Sequence, residues 1–247
     1  MTVRWYTHIS FHVQLTGHRD RLSESRVTIP SDLERLIDEA LRDMREHPSH
    51  QLAAARRRVI YEAFGTKSDP IASRARGWLG IFVARHVLPI FQEALPHEDL
   101  PQRLLEMAEG VVRGAVDAKI AIQEASEGHE VAGRLWGYEE ADVPWNAYFA
   151  GSSADRALVE AAGWDPFQYL DRFHRVDLTS GSDVQDEQTD RWNDEELAQI
   201  GGDTASAAAV AYACGVGSPG CDPDKLREFW EWWLTQAIPE AWRAATH

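Results

Sequence analysis

The sequence predicts a mainly α-helical fold, a multi-helix globular bundle of about nine or ten helices preceded by a short N-terminal strand pair. Three observations predict it. Apolar residues recur at helical spacing along most of the chain after Ser31. Asp-Pro pairs, in which the carboxylate caps free N–H groups and proline fits the first turn, stand at Asp69-Pro70, Asp165-Pro166 and Asp222-Pro223. The 247 residues are 44% hydrophobic and include ten tryptophans, enough for a sizeable buried core.

The first 30 residues form a separate strand-like segment. Ile9, Phe11, Val13 and Leu15 alternate with His8, Ser10, His12 and Gln14, the period of a half-buried strand, and Arg26 to Ile29 is its candidate partner. From 31 to 247 the chain reads as a single helical domain. Leu33, Leu36, Ile37, Ala40, Leu41 and Met44 lie on one helical face. Ser31 and Glu34 have the spacing of a capping box, and His47-Pro48 ends the helix.

The helix after Asp69 carries Ile71, Ala75, Trp78, Leu79, Phe82, Val83, His86, Val87, Ile90 and Phe91 on a broad apolar face. That breadth makes it central, with Pro89 kinking or ending it. Further helices are expected over Pro101–Arg113, Val116–Trp136, Ala154–Ala162, Asn193–Ile200, Thr204–Cys214 and Leu226–Ala237. In the last, Leu226, Phe229, Trp230, Trp233 and Leu234 share the apolar stripe and Trp232 points off it. Gly151-Ser152-Ser153 reads as the cap of the helix entered at Ala154.

The charge is uneven. There are 25 Lys+Arg against 40 Asp+Glu, a formal −15. Ten acidic and three basic residues fall between Asp171 and Asp203, so an exposed acidic loop is expected near 177–203. This field disfavours nucleic acid and anionic membrane as partners and speeds encounter with a basic protein. No run approaches the roughly 18 apolar residues of a membrane span, and the N-terminal residues carry no secretory pattern. A cytoplasmic protein is expected. Two cysteines, Cys214 and Cys221, suit a reducing compartment, with a local bridge left open.

A search for catalytic chemistry returns little. Gly215, Gly217 and Gly220 match the letters of a dinucleotide fingerprint, but an Ala-rich helical run precedes them where a strand is required. Gly215 reads instead as the end of that helix. His8 and His12 fall on a strand rather than a helix face, Asp171 and His174 are a lone pair, and the cysteine spacing is not that of a zinc site. No catalytic residue, metal or cofactor is assigned. His86 is expected as a hydrogen-bonded core histidine, and Arg56-Arg57-Arg58 as a source of intramolecular ion pairs.

Two blocks carry a resemblance. The first runs from Arg76 through Gly-Trp-Leu-Gly-Ile-Phe-Val-Ala-Arg-His-Val-Leu-Pro-Ile to Phe91, then the Pro96–Pro101 turn and Leu104-Leu105. The second is Ala208–Ala213, the glycine loop, and Arg227-Glu-Phe-Trp-Glu-Trp-Trp-Leu-Thr-Gln-Ala-Ile-Pro-Glu-Ala-Trp242. Together they resemble the fifth-numbered family of predicted immunity proteins of bacterial polymorphic toxin systems, with the likeness running in order from Gln51 to Trp242. The resemblance implies a helical protein, not an enzyme, that neutralises a cognate toxin, such as a nuclease, by stoichiometric binding.

Since a nuclease cleft is basic, carboxylates imitating phosphates are the expected contacts. Asp183, Asp186, Glu187, Asp190, Asp194, Glu195 and Glu196 are the candidates, with Trp192 as a buried anchor. The same residues also read as a solvated linker. Glu139, Glu140 and Asp142 beside Trp136 and Trp145 form an alternative patch. Two other readings are a metal-dependent hydrolase using His8 and His12, and a helical scaffold or regulatory protein.

Overall fold

The computed structural model describes residues 29–124, 143–167, 202–214 and 220–247. Eight α-helices are found among them: α1 (Ser31–Glu46), α2 (Ala54–Ala63), α3 (Pro70–Ala94), α4 (Leu100–Val112), α5 (Trp145–Ala161), α6 (Thr204–Ala213), α7 (Pro223–Trp232) and α8 (Ile238–Thr246). A π-turn, Trp233–Ala237, joins the last two. Residues 118–124 are also helical, while the rest of the helix expected to reach Trp136 lies outside the described residues. So do the N-terminal strand pair, the helix over Asn193–Ile200 and nearly all of the acidic loop.

The central element is α3. It packs most extensively on α5 and also meets α4, α6 and α8. Its burial goes beyond the apolar stripe legible in the sequence, since Ala72, Gly77, Gly80, Ala84 and Leu88 on other sides are covered too. Small residues make this possible. A Cβ at Gly77 would come within 2.6 Å of Val112 and 3.3 Å of the Ala161 backbone, and one at Gly80 within 3.4 Å of the Ala157 backbone. Pro89 does not end α3, which runs on to Ala94. The proline is exposed, so the carbonyl it leaves unpaired in the ladder is on the solvent side of the helix.

Asp69 and Asp222 cap α3 and α7, accepting from Ile71 N and from Asp224 N and Lys225 N respectively. Asp165 accepts from Phe167 N at 3.0 Å, and any helix beyond lies outside the described residues. The capping box at α1 is not formed. Ser31 is already in the helix, and Pro30 stands at the N-cap with no side-chain bond, its carbonyl receiving Glu34 N.

The helix expected from Ala154 begins nine residues earlier at Trp145, and Gly151-Ser152-Ser153 lie inside it. Gly151 and Ser153 are buried, and Ser153 Oγ donates back to the Ala150 carbonyl, so the serine is satisfied within the helix. Helix α2 was not expected. Its Arg-Arg-Arg run masks the apolar period, although Arg57 is itself fully buried.

At the C-terminus Phe229, Trp230, Trp233 and Leu234 are fully buried, and Trp232 is only partly so, as their helical spacing predicts. Trp230 and Trp233 meet edge to face, with centroids 5.7 Å apart. The π-turn ends two residues before Pro239, which has no N–H for the regular ladder. Cys214 and Cys221 are joined by a disulfide, and Asp222 N donates to the Ala213 carbonyl beside it. The bridge links the end of α6 to the start of α7 around the glycine loop, whose residues 215–219, including the proposed helix end at Gly215, lie outside the description.

Candidate binding site

Beneath the start of α6 lies a buried polar cluster. Arg57 on α2 and Asp203, both fully buried, pair at 2.8 Å, and Arg57 also donates to the Leu52 carbonyl at 2.5 Å. Asp203 caps α6 through Ser206 N at 2.6 Å. It therefore belongs to the core and not to the exposed acidic loop in which the sequence places it. Covering it removes water, and the adjacent guanidinium and helix N-terminus hold the charge.

Glu160 on α5 completes the cluster. One of its oxygens accepts from Thr204 N and Thr204 Oγ1, each at 2.8 Å, and the other accepts from Tyr61 OH at 2.7 Å. Burial, then the nearby Asp203 carboxylate, push Glu160 up to about 7. Tyr61 is raised well above its ordinary value, first by burial and then by the Glu160 charge.

Tyr61 and Glu160 also line a pocket of about 470 Å³ between α2, the start of α3 and the end of α5. Its apolar walls include Trp164, Pro166 and Phe167, with Phe167 edge-on to Tyr61 at 5.2 Å. Arg58, Lys67 and Arg76 bring positive charge to it. Arg58 pairs with Glu62 at 3.0 Å and Lys67 with Asp165 at 2.9 Å. The end of α5 positions Trp164. Gly163, at φ +92°, adopts the left-handed conformation, Gly163 N donates to the Glu160 carbonyl, and Trp164 N donates to the Val159 carbonyl. This turn leaves the Trp164 side chain at the surface, and the residue is 56% exposed.

A second groove of about 610 Å³ runs between α3, α6 and α7. His86 stacks on Trp232 with centroids 3.8 Å apart, and Tyr212 lies 5.5 Å away. The histidine is half-buried and stacked on Trp232, which lies off the apolar stripe, and among the described residues its ring makes no hydrogen bond, contrary to the expectation of a hydrogen-bonded core histidine. Burial lowers its pKa, opposed by Glu228.

The basic run forms internal ion pairs as expected: Arg56 with Glu39 and Asp43, Arg57 with Asp203, Arg58 with Glu62. Of the candidate contacts, Asp183, Asp186, Glu187, Asp190, Trp192, Asp194, Glu195 and Glu196 lie outside the described residues, as do Trp136, Glu139, Glu140 and Asp142. Trp145 is described. It opens α5, is partly buried, and meets Phe149 edge-on at 4.7 Å. His8, His12, Asp171 and His174 also fall outside the description. Among the described residues no three His, Cys, Asp or Glu side chains gather as a metal site, and no helix is long and apolar enough to cross a membrane.

The sequence pattern did not single out Arg76, Glu160 or Trp164. The first two lie on helices whose roles are set by partners far along the chain, and the third follows a glycine turn that is recognisable only once the end of α5 is known.

The described residues therefore define a helical protein with a polar cluster under one helix start and two clefts at its surface. The chain belongs to the immunity protein family Imm5, whose model matches residues 37–240. No curated protein matches it.

Proposed function

We propose that this protein neutralises a cognate, basic protein toxin by stoichiometric binding, and that the toxin belongs to a polymorphic toxin system and acts as a nuclease. The observation that carries the reading is the match to an immunity family over most of the chain. The formal charge of −15 supports the basic character of the partner, since opposite fields accelerate encounter and favour register. In this reading the carboxylates of Asp183, Asp186, Glu187, Asp190, Asp194, Glu195 and Glu196 take the place of the nucleic acid phosphates, with Trp192 as the anchor. The cluster around Glu139, Glu140 and Asp142 is the alternative contact.

The test is recovery of partners on the tagged protein from its native cells, identified by mass spectrometry at low and high salt. A basic toxin domain recovered specifically, and less well as salt rises, is the expected result. No recovery at either salt, with the toxin domain demonstrably expressed, would overturn the reading. A metal assay of the purified protein would then address the hydrolase alternative.

A further inference from the structure

The pocket beside Tyr61 contains an imbalance that the toxin reading does not use. Arg76, half-buried on α3, donates through Nε to the Tyr61 carbonyl at 2.9 Å and through Nη2 to the Gly65 carbonyl. Both acceptors are neutral. Among the described residues, no carboxylate makes an ion pair with this guanidinium.

The acids nearest to it electrostatically are Asp165, Asp69 and Glu62, and each is engaged elsewhere. Asp165 binds Lys67 and Phe167 N, Asp69 caps α3 at Ile71 N, and Glu62 pairs with Arg58. Glu160, the remaining carboxylate of the lining, accepts three hydrogen bonds from Tyr61 and Thr204. A partly desolvated guanidinium with spare donor capacity favours an anion, and above all a carboxylate, whose two oxygens match its planar donors.

The shape of the pocket supplies the other half of the ligand. A volume of about 470 Å³ lies within the range of small-molecule sites, where a mainly apolar wall encloses a few fixed polar groups. Trp164 stands 56% exposed at the pocket, and Tyr61 and Phe167 form an aromatic corner within it. An indole with this much free surface offers a stacking partner to a flat ring. The groove at His86 has no equivalent, since Trp232 there is already stacked on the histidine.

We propose that this pocket binds a small carboxylate carried on a flat aromatic body, with Arg76 receiving the carboxylate and Trp164 covering the ring. None of the residues used here is among those proposed to meet the toxin, so the two readings are tested separately.

The experiment uses three probes of one shape and different charge: phenylacetate, phenylacetamide and phenethylamine. Each is titrated into the full chain by calorimetry and checked by saturation-transfer NMR, with Arg76→Gln and Trp164→Ala as variants whose folding is verified by thermal melts. Phenylacetate should bind at least about tenfold more tightly than the amide, with the amine weakest, and each folded variant should lose about tenfold in phenylacetate affinity. If Arg76→Gln does not fold, the order of the three probes on the unmodified protein and the loss in Trp164→Ala decide the matter. Equal binding of the probes, preference for the amine, no phenylacetate binding at about 10 mM, or full affinity in either folded variant would overturn the proposal. Toxin recovery by the same variants, measured in parallel, is expected to be unchanged.

Discussion

Two regions of this protein bury their side chains to the same degree by opposite means. Around α7 and the π-turn, Phe229, Trp230, Trp233 and Leu234 are fully covered and contribute mainly apolar area. Beneath α6, Arg57, Asp203 and Thr204 are as fully covered, with Glu160 at 5%, and they are held by directed hydrogen bonds and an ion pair that join α2, α5 and the start of α6. The first region tolerates rough complementarity, because apolar contact is non-directional. The second does not, because a buried charge that loses its partner is left without water to replace it. The regions also touch, as the Arg57 guanidinium lies over the Trp230 ring at 5.3 Å from its centroid.

The largest effects should come from one substitution in each region. Trp230→Ala is expected to cost about 3–5 kcal/mol, the usual loss for a buried large aromatic. Arg57→Ala should cost a similar amount, about 3–5 kcal/mol, by stranding Asp203. Urea titrations would measure both. In a double-mutant cycle the pair should be non-additive through the stacked guanidinium, and strict additivity would mean that the two regions are energetically separate.

A smaller and more specific effect separates the regions by pH. A carboxyl whose folded pKa is raised stabilises the fold while protonated. The Glu160 contribution is therefore complete below its ordinary 4.5 and is lost as pH rises through about 7. The loss amounts to about 3 kcal/mol at most. Stability measured from pH 5 to pH 8 should fall less steeply in Glu160→Gln than in the unmodified protein, and Trp230→Phe should leave the slope alone. Matching slopes for Glu160→Gln and the unmodified protein would contradict the buried, charge-crowded carboxyl.

The smallest effect is expected at Trp232, whose removal forfeits the stack on His86 and should cost about 1 kcal/mol. A loss equal to that of Trp230→Ala would erase the distinction between the buried face of α7 and its flank.

The aromatic region was legible in the sequence because its residues follow one another at helical spacing. Leu226, Phe229, Trp230, Trp233 and Leu234 place themselves on a stripe without knowledge of any other helix. The Asp-Pro starts at Asp69 and Asp222 are legible for the same reason, since a cap involves only its neighbours. The polar cluster was not. Arg57 and Asp203 stand 146 positions apart, and Tyr61 and Glu160 stand 99 apart. In the sequence Arg57 is one member of a basic run and Asp203 one member of an acidic stretch, so each reads as surface.

The start of α5 was missed on similar grounds. Gly151, Ser152 and Ser153 are poor helix formers in isolation, and only the folded chain shows Gly151 and Ser153 buried inside α5, with the Ser153 hydroxyl satisfied by the Ala150 carbonyl.

Local order and composition thus determined, from the sequence alone, that this chain is helical and acidic, that its C-terminal tryptophans divide between core and flank, and that it resembles an immunity family. Tertiary structure decided which charged residues are interior, how closely α3 and α5 approach, and that Arg76 and Trp164 share one pocket. The physical reason is range. Helical periodicity and capping act over a few residues, whereas a buried ion pair or a pocket depends on groups that the chain brings together only by folding.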